Sequence, residues 1–376
     1  MKASIPLGRW FGIPVGLHYS WFILAWLIAL SLTTRFASMN SGWSTGTVWA
    51  LALVTAALFF VSIVLHELAH SIVARASGVP VRGITLFALG GVSQIEKEAS
   101  SPGKEFWIAV VGPITSLVIG VACRVSVGAA GLGARTAAPS ALTAVLGWLA
   151  YINIALGLFN LIPGFPLDGG RVLRAIVWEL TRSADRATRI AARVGQVVGF
   201  AFIAGGFFSL VLRGNFGGLW IAIIGWFLLE SAQAYYAMAQ VSSALRGVRV
   251  ADVMARQCAT IDPDTTLRRF VDDELLRLTS NCFAVVRQDQ ILGLIASEDV
   301  KRVPHEEWDR TTVAQVMRPI QALHPLAPDV PAHEALDLMG RENINQVPVV
   351  TNGHLAGVVT RSYLVHLLQV RRELHA

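Results

Sequence analysis

Six long apolar stretches constrain the fold of this 376-residue chain more than any other feature. A bilayer hydrocarbon core about 30 Å thick is crossed by a helix of about 20 apolar residues. The stretches cover approximately residues 17–34, 47–75, 106–128, 141–162, 194–212 and 217–238. Only 15% of the residues are charged, against about 25% in soluble domains. We therefore predict a polytopic α-helical membrane protein with about six transmembrane helices.

The distribution of charge predicts how the chain lies in the membrane. Up to Val241 there are 16 Lys and Arg against 8 Asp and Glu, whereas the remainder has 15 against 17. Placing alternate loops on alternate sides collects most of the positive charges of the apolar part on one face, and the positive-inside rule makes that face cytoplasmic. We expect a multi-pass protein of the cell membrane with both termini in the cytoplasm. No exposed basic run alternates with aromatic residues, so no nucleic-acid partner is indicated.

Two connections between the apolar stretches predict structure of their own. The segments 84–89 (ITLFAL) and 92–96 (VSQIE) flank Gly90-Gly91, a dipeptide suited to a tight turn, so we predict a small β-hairpin. Residues 171–194 mix arginines with apolar residues at helical spacing, which predicts a helix along the membrane surface.

The C-terminal part contains a tandem repeat. The segment beginning VADVM recurs about 60 residues later as TVAQVM, and NCFAVV recurs as NQVPVV. Each copy reads as a strand, a helix, two strands joined by a short turn and a closing helix. We expect an α/β module and the domains 1–245, 246–310 and 311–376.

The second apolar stretch contains the sequence His66-Glu67-Leu68-Ala69-His70. Histidines four residues apart on a helix project from one face and can bind one metal ion, with the intervening glutamate beside them to accept a proton from water. Burying these side chains in a membrane is expensive, so they need partners. The alternative is a pair of core histidines that only hydrogen-bond to neighbouring helices.

A catalytic zinc ion has three protein ligands and one position for water, and Asp168 is the best candidate for the third ligand. It lies in a segment, 160–171 (NLIPGFPLDGGR), whose prolines and glycines interrupt the helix. Irregular backbone at membrane depth occurs only where protein or an internal cavity covers it. The alternative is that Asp168 only caps or turns the chain, for which Asp-Gly-Gly is also suited.

Together, HELAH and NLIPGFPLDGGR resemble the site-2 protease family of intramembrane zinc metalloproteases. Segment 12–21 (GIPVGLHYSW) and Gly112-Pro113 with Ser116 also match. The resemblance implies that His66, His70 and Asp168 hold one zinc ion per chain and that Glu67 is the general base and acid. It also implies that Asn160 positions the substrate backbone. The expected activity is hydrolysis of a peptide bond within or near a transmembrane helix of a membrane-protein substrate.

The tandem repeat is similar to a pair of CBS (cystathionine-β-synthase) domains, which commonly bind adenosine nucleotides. The Gly-x-Ile/Val-Ser/Thr-x-x-Asp element of that family is incomplete in both copies. The first copy keeps Asp299, which would contact a ribose, but has Ala296 in place of the hydroxyl residue. The second keeps Thr360 but has Tyr363 in place of the acid. The resemblance leaves two roles open for the cytoplasmic module: nucleotide-dependent regulation, or a structural role that includes homodimerisation.

A second class of function fits some of these features. CBS domains also follow the membrane bundles of ion-transport proteins, so the alternative is a CBS-regulated divalent-cation channel or transporter. HELAH and Asp168 would then line the ion path.

Overall fold

Long apolar helices dominate the N-terminal unit, Met1–Ala239. The structure is a computed structural model, and it describes residues 5–87, 90–95, 99–131, 140–245, 247–256, 258–277, 283–288, 290–342, 344–351 and 354–374. The helices are α1 (Ser20–Met39), α2 (Thr45–Ala76), α3 (Pro102–Gly131), α4 (Ala141–Asn160), α5 (Asp168–Thr181), α6 (Ala184–Arg213) and α7 (Gly217–Ala244). Within the described residues, six helices, all of these except α5, are long and apolar enough to cross a membrane. The predicted polytopic helical fold is confirmed.

Two strands before α1 and two strands after α2 form one four-stranded sheet. Its strands are β1 (Ile5–Trp10), β2 (Ile13–Leu17), β3 (Val81–Phe87) and β4 (Gly90–Ile95), in the order β1-β2-β3-β4. Strands β2 and β3 are parallel, and the outer pairs are antiparallel. The buried side of the sheet packs against α2 and α4, where Val15 and Ile84 join Ile63 and Leu149 in one hydrophobic cluster.

The hairpin at 84–96 is present, but the prediction that Gly90-Gly91 forms its turn is wrong. Gly90 pairs with Phe87 and Gly91 with Leu86, so both glycines belong to β4. Residues 88 and 89, which connect the two strands, lie outside the described residues. The N-terminal hairpin of β1 and β2 was not predicted. Its turn, Phe11-Gly12, has positive φ at both positions (52° and 77°), and Gly12 was the available sequence signal.

The predicted surface helix over 171–194 is two helices. Arg182 adopts the left-handed conformation (φ 54°) and ends α5, and the Ser183 hydroxyl accepts a hydrogen bond from Arg186 N at the start of α6. A serine cap satisfies a backbone N–H group that would otherwise have no partner in the first turn. The arginines of this segment therefore divide between the amphipathic helix α5 and the first turns of a membrane span.

Helices α6 and α7 pack through small residues, as is common in membranes, where close backbone contact replaces the hydrophobic driving force. A Cβ atom at Gly206 would lie 2.5 Å from both Gly218 O and Ala222 N. Any side chain at this position would therefore separate the two helices.

The C-terminal unit, Gln240–Ala376, is the tandem α/β module. It contains α8 (Val250–Val253), β5 (Ala259–Ile261), α9 (Leu267–Arg269), a π-helical turn (Phe270–Leu275), β6 (Phe283–Arg287), β7 (Gln290–Ile295), α10 (Ser297–Val300), a 3-10 turn (His305–Glu307), α11 (Val313–Val316), β8 (Arg318–Pro319), a 3-10 turn (Ile320–Ala322), α12 (Ala332–Arg341), β9 (Gln346–Thr351), β10 (His354–Thr360) and α13 (Arg361–Leu374). One sheet has the order β5-β6-β7-β8, and the other is the β9–β10 pair.

The two copies exchange their leading segments. Val250 of α8 packs in the core of the second copy and donates its backbone N–H to Val330 O. Val313 of α11 packs in the core of the first copy and donates its backbone N–H to Thr265 O. Because each core includes residues from the other repeat, the two copies form one folding unit.

Candidate metal centre

Helix α2 presents the two histidines of HELAH to the interior of the helix bundle. His66 and His70 are one turn apart on a single helix, and they are 5% and 3% exposed. Their Nε2 atoms lie 3.2 Å from each other. Glu67 lies between them in sequence and is half-buried. Two imidazole nitrogens therefore meet at one point, with a carboxylate on the adjoining part of the helix.

The break after α4 brings Asp168 to this point. α4 ends at Asn160, before Pro163, and α5 begins at Asp168 itself. Glycines allow the tight fold between them, because a Cβ atom at Gly170 would overlap the backbone of Gly164 and Phe165. Asp168 Oδ2 lies 3.1 Å from His66 Nε2 and 3.2 Å from His70 Nε2. Leu167, the residue preceding α5, makes no side-chain cap, and Asp168 is the acidic residue of the first turn of that helix.

Helix α3 holds both imidazole rings from the other side. His70 Nδ1 donates a hydrogen bond to the backbone oxygen of Ile108, and His66 Nδ1 lies 2.9 Å from Ser116 Oγ. Engaging Nδ1 in this way orients each ring and directs Nε2 to the shared point. The Ile108 carbonyl and Ser116 are therefore part of the site. The sequence indicates Ser116 only through the family resemblance, and no sequence pattern indicates the Ile108 carbonyl.

A glycine on α3 keeps the shared point open. A Cβ atom at Gly112 would overlap His70 Nε2 and lie 2.8 Å from His66 Nε2. Any larger residue at this position would occupy the space on which the two nitrogens converge.

The three atoms fit the requirements of zinc. The two Nε2 atoms and one carboxylate oxygen are separated by 3.1–3.2 Å. Zinc–ligand bonds of about 2.1 Å at tetrahedral angles separate ligand atoms by about 3.4 Å. Two histidines and one carboxylate form a donor set of hydrolytic zinc sites, which leaves one coordination position for water. The donor set and spacing therefore suit one zinc ion.

The electrostatic surroundings keep Asp168 ionised. Burial by itself would raise the pKa of Asp168, but the adjacent imidazoles of His70 and His66 hold it below its usual range. Three residues later, burial would lower the pKa of Arg171, but its ion pair with Glu105 raises it above the usual value. The carboxylate is thus available as a ligand, and a half-buried cation, Arg171, lies on the next turn of the same helix.

Asn160 lies at the helix break. It is the last residue of α4, and its Nδ2 donates to Leu156 O at 3.1 Å. Among the described residues, no hydrogen bond joins it to His66, His70 or Asp168. Two turns earlier on α4, Asn153 is fully buried and donates to Ser62 Oγ, one turn before His66 on α2. The sequence gives no signal for Asn153, since nothing in an apolar stretch indicates which helix a single amide will face.

In the C-terminal unit, Asp299 and Thr360 already have partners within the chain. Asp299 is 1% exposed, and its Oδ1 accepts from Arg318 Nε at 3.0 Å while its Oδ2 accepts from Ala296 N at 3.1 Å. Thr360 Oγ1 accepts from Tyr363 N and Ser362 Oγ. Both side chains thus stabilise the ends of strands and the starts of the helices that follow.

Replacing Asp299 with alanine is expected to destabilise the C-terminal unit by about 1–3 kcal/mol, because Arg318 and the Ala296 N–H lose their buried acceptor. Limited proteolysis of the full-length protein over a temperature series measures this. The control is Asp309→Ala, which removes an exposed ion pair with Arg268 and should cost less than about 1 kcal/mol. Equal effects of the two changes would contradict the structural role of Asp299.

Comparison with known proteins follows the same division of the chain. Peptidase family M50 matches residues 54–134 and 126–204, and the CBS domain matches residues 250–306 and 313–370. The zinc metalloprotease sll0528 of Synechocystis is 36% identical over 98% of this chain and 96% of its own length. The zinc metalloprotease Rip3 of Mycobacterium tuberculosis is 35% identical over 99% of this chain and 94% of its own length.

Among solved structures, the site-2 protease of Methanocaldococcus jannaschii is 29% identical, with a TM-score of 0.41, and the similarity covers 62% of this chain and 94% of that one. The full-length matches to the curated relatives define the class. The chain belongs to the site-2 protease (peptidase M50) family of zinc metalloproteases and carries a C-terminal CBS domain pair.

Proposed function

We propose that this protein is an intramembrane endopeptidase in which His66, His70 and Asp168 hold one zinc ion and Glu67 transfers protons. Its substrate is a membrane protein, cut at a peptide bond within or near a transmembrane helix. The observation that carries the proposal is the convergence of two Nε2 atoms and one carboxylate oxygen, 3.1–3.2 Å apart, at a membrane-spanning helix.

Different residues of the chain have different roles in the proposed hydrolysis. Zinc, when bound, polarises the peptide carbonyl and makes water acidic enough to give up a proton near neutral pH. Glu67, beside the histidines on α2, accepts that proton and later donates one to the leaving amine. His66 and His70 keep their Nε2 lone pairs toward the metal, because their Nδ1 atoms are engaged by Ser116 and Ile108.

The substrate must unwind before it can react. In a transmembrane helix every central carbonyl accepts a hydrogen bond within its own helix, so the cut bond has to leave that structure first. An unwound stretch regains backbone hydrogen bonds by adding to a sheet edge. β3 is paired on both sides, by β2 and β4, so we propose the outer edge of β4 for this addition. Asn160 at the end of α4 would contact the substrate backbone.

The orientation in the membrane is proposed from the distribution of charge, and the role of the C-terminal module from its CBS repeats. The arginines of α5 and of the start of α6 favour a cytoplasmic position for this side of the bundle and for both termini. The membrane would be the cell membrane. The CBS pair would then lie in the cytoplasm as a regulatory or dimerising module. The internal partners of Asp299 disfavour its contact with a ribose. Membership of a metalloprotease family favours hydrolysis over the cation transport considered above.

Metal removal tests the proposal directly. The purified protein is reconstituted in vesicles with a single-span membrane protein, and products are identified by mass spectrometry. Cleavage is expected within or beside the span, to stop when a chelator removes zinc, and to return when zinc but not magnesium is restored, because two imidazoles and one carboxylate suit zinc and not a six-oxygen site. Cleavage that continues after complete loss of zinc, or cuts found only in extramembrane loops, would contradict the proposal.

A further inference from the structure

We propose that Glu105 is a positioning residue for the metal centre: it holds Arg171 and Arg174 and thereby fixes the helix that begins with Asp168. Nothing in HELAH or in the DGG segment points to Glu105, which lies in the first turn of α3. The inference rests on the proposed zinc site and assigns how its third ligand is held.

The contacts of Glu105 connect α3 to α5 and, through an arginine, to α6. Glu105 is 2% exposed, and its Oε1 accepts from Arg171 Nε at 3.0 Å and lies 3.5 Å from Arg174 Nη1. Arg174 Nε donates to Thr188 Oγ1 of α6 at 2.8 Å. Glu105 and Arg174 are buried and Arg171 is half-buried, so three charged side chains meet at the helix that begins with Asp168.

The position of Glu105 on α3 places it in line with the groups that hold the histidines. Glu105, Ile108, Gly112 and Ser116 follow one another at spacings of three, four and four residues, so they lie along one face of the helix. On this face, Ser116 contacts His66, the Ile108 carbonyl contacts His70, and Gly112 leaves room between the two Nε2 atoms. Glu105 extends the face by one turn, to the helix that carries Asp168.

The sequence of α5 explains why Glu105 fixes this helix through an arginine. The two residues after Asp168 are glycines, which have no side chains with which to hold the helix. Arg171 is therefore the first side chain beyond Asp168 that can fix the N-terminal turn, and it lies on the adjoining turn of the same face. Without the contact between Glu105 and Arg171, the first turn of α5 could shift. The carboxylate oxygen of Asp168 would then move, and metal binding tolerates little displacement of a ligand atom.

The test uses the full-length protein in detergent, with the Glu105→Gln variant, which keeps the shape of the side chain and removes its charge. Changes to residues that hold the metal ligands in place weaken metal affinity by about 10- to 100-fold. We expect the zinc affinity of this variant, measured by competition with a coloured chelator, to be reduced by a factor in that range. The visible spectrum of the cobalt-substituted protein should also change, because it reports the ligand geometry. Glu105→Asp, which keeps the charge, should show a smaller defect.

The matched control is Glu179→Gln at the other end of α5, where Glu179 forms an exposed ion pair with Arg182 at 3.1 Å. This variant should retain wild-type zinc affinity and cobalt spectrum. If Glu105→Gln is folded and behaves like the control, the proposal is overturned. If Glu105→Gln does not fold, Arg171→Gln removes only the shorter contact, and a wild-type spectrum and affinity there overturn it equally. A wild-type protein that binds no zinc would remove the proposed function itself, whereas normal zinc in the wild type and in Glu105→Gln removes only this inference.

Discussion

The variant Glu67→Gln is expected to lose peptide-bond hydrolysis by about 10²- to 10⁴-fold, the range contributed by a general acid and base, while it keeps one zinc ion per chain. The structure separates the two properties. The converging ligand atoms come from His66, His70 and Asp168, and the glutamate is adjacent in sequence without being one of them. Glutamine has the same shape as glutamate but cannot take a proton from water at neutral pH. The measurements are turnover of a single-span substrate and metal content.

The matched control for Glu67→Gln is Glu230→Gln, which neutralises an exposed carboxylate in another membrane span, α7. It should leave turnover close to that of the wild type. Full activity in Glu67→Gln would show that another group moves the protons. Loss of zinc together with activity would show instead that Glu67 holds the metal centre, and either result would require a different assignment of the site.

The variant Gly112→Ala is expected to reduce bound zinc from about one per chain to nearly none. The added methyl group would overlap His70 Nε2 and lie 2.8 Å from His66 Nε2. It would therefore occupy the space required by the ion. Alanine is more favourable than glycine within a helix by about 0.8–1.0 kcal/mol, so the metal should be lost without loss of the helix. Metal analysis of the purified protein and thermal unfolding measure the two effects separately.

Gly128→Ala is the control on the same helix, since a Cβ atom at Gly128 would have no atom within 4 Å. This variant should bind zinc like the wild type. Normal zinc content in Gly112→Ala would mean that the imidazoles can rearrange around the methyl group, and the space at Gly112 would then have no role in metal binding.

The two variants report different properties of one site. Glu67→Gln should separate activity from metal content, whereas Gly112→Ala should remove both. A cation transporter would respond differently, because its ion path would not require a proton acceptor at Glu67. Ion flux measured in the same vesicles therefore distinguishes the two classes of function.

Local features of the molecule could be predicted because they depend on periodicity and length. A helix long enough to cross the bilayer needs only its own apolar residues, and six such helices are observed in the part of the chain that the structure describes. Two histidines four residues apart share a helix face in any fold, so the pairing of His66 and His70 follows from spacing alone. The tandem repeat is likewise visible without coordinates, and it matches the CBS domain.

Two predictions were wrong, and both concern places where one helix or strand meets the next. Gly90-Gly91 suits a turn locally, but pairing with Leu86 and Phe87 places it inside β4. The break between α5 and α6 falls at Arg182, a residue with no special tendency to end a helix. The contact between Asp299 and Arg318 of the other repeat also depends on a distant residue, which no local pattern specifies.

The amino-acid sequence by itself determined the number of membrane spans, the helix face that carries both histidines, and the doubled α/β module. Only the tertiary structure decided that Asp168 meets those histidines across about 100 residues of chain. It also decided what one face of α3 packs against: Ser116 and the Ile108 carbonyl contact the histidines, and Glu105 contacts the arginines of α5. The physical reason is that spacing along a helix fixes which residues share a face, whereas the partner of that face depends on how closely the helices pack, and glycines such as Gly112 and Gly170 permit that approach.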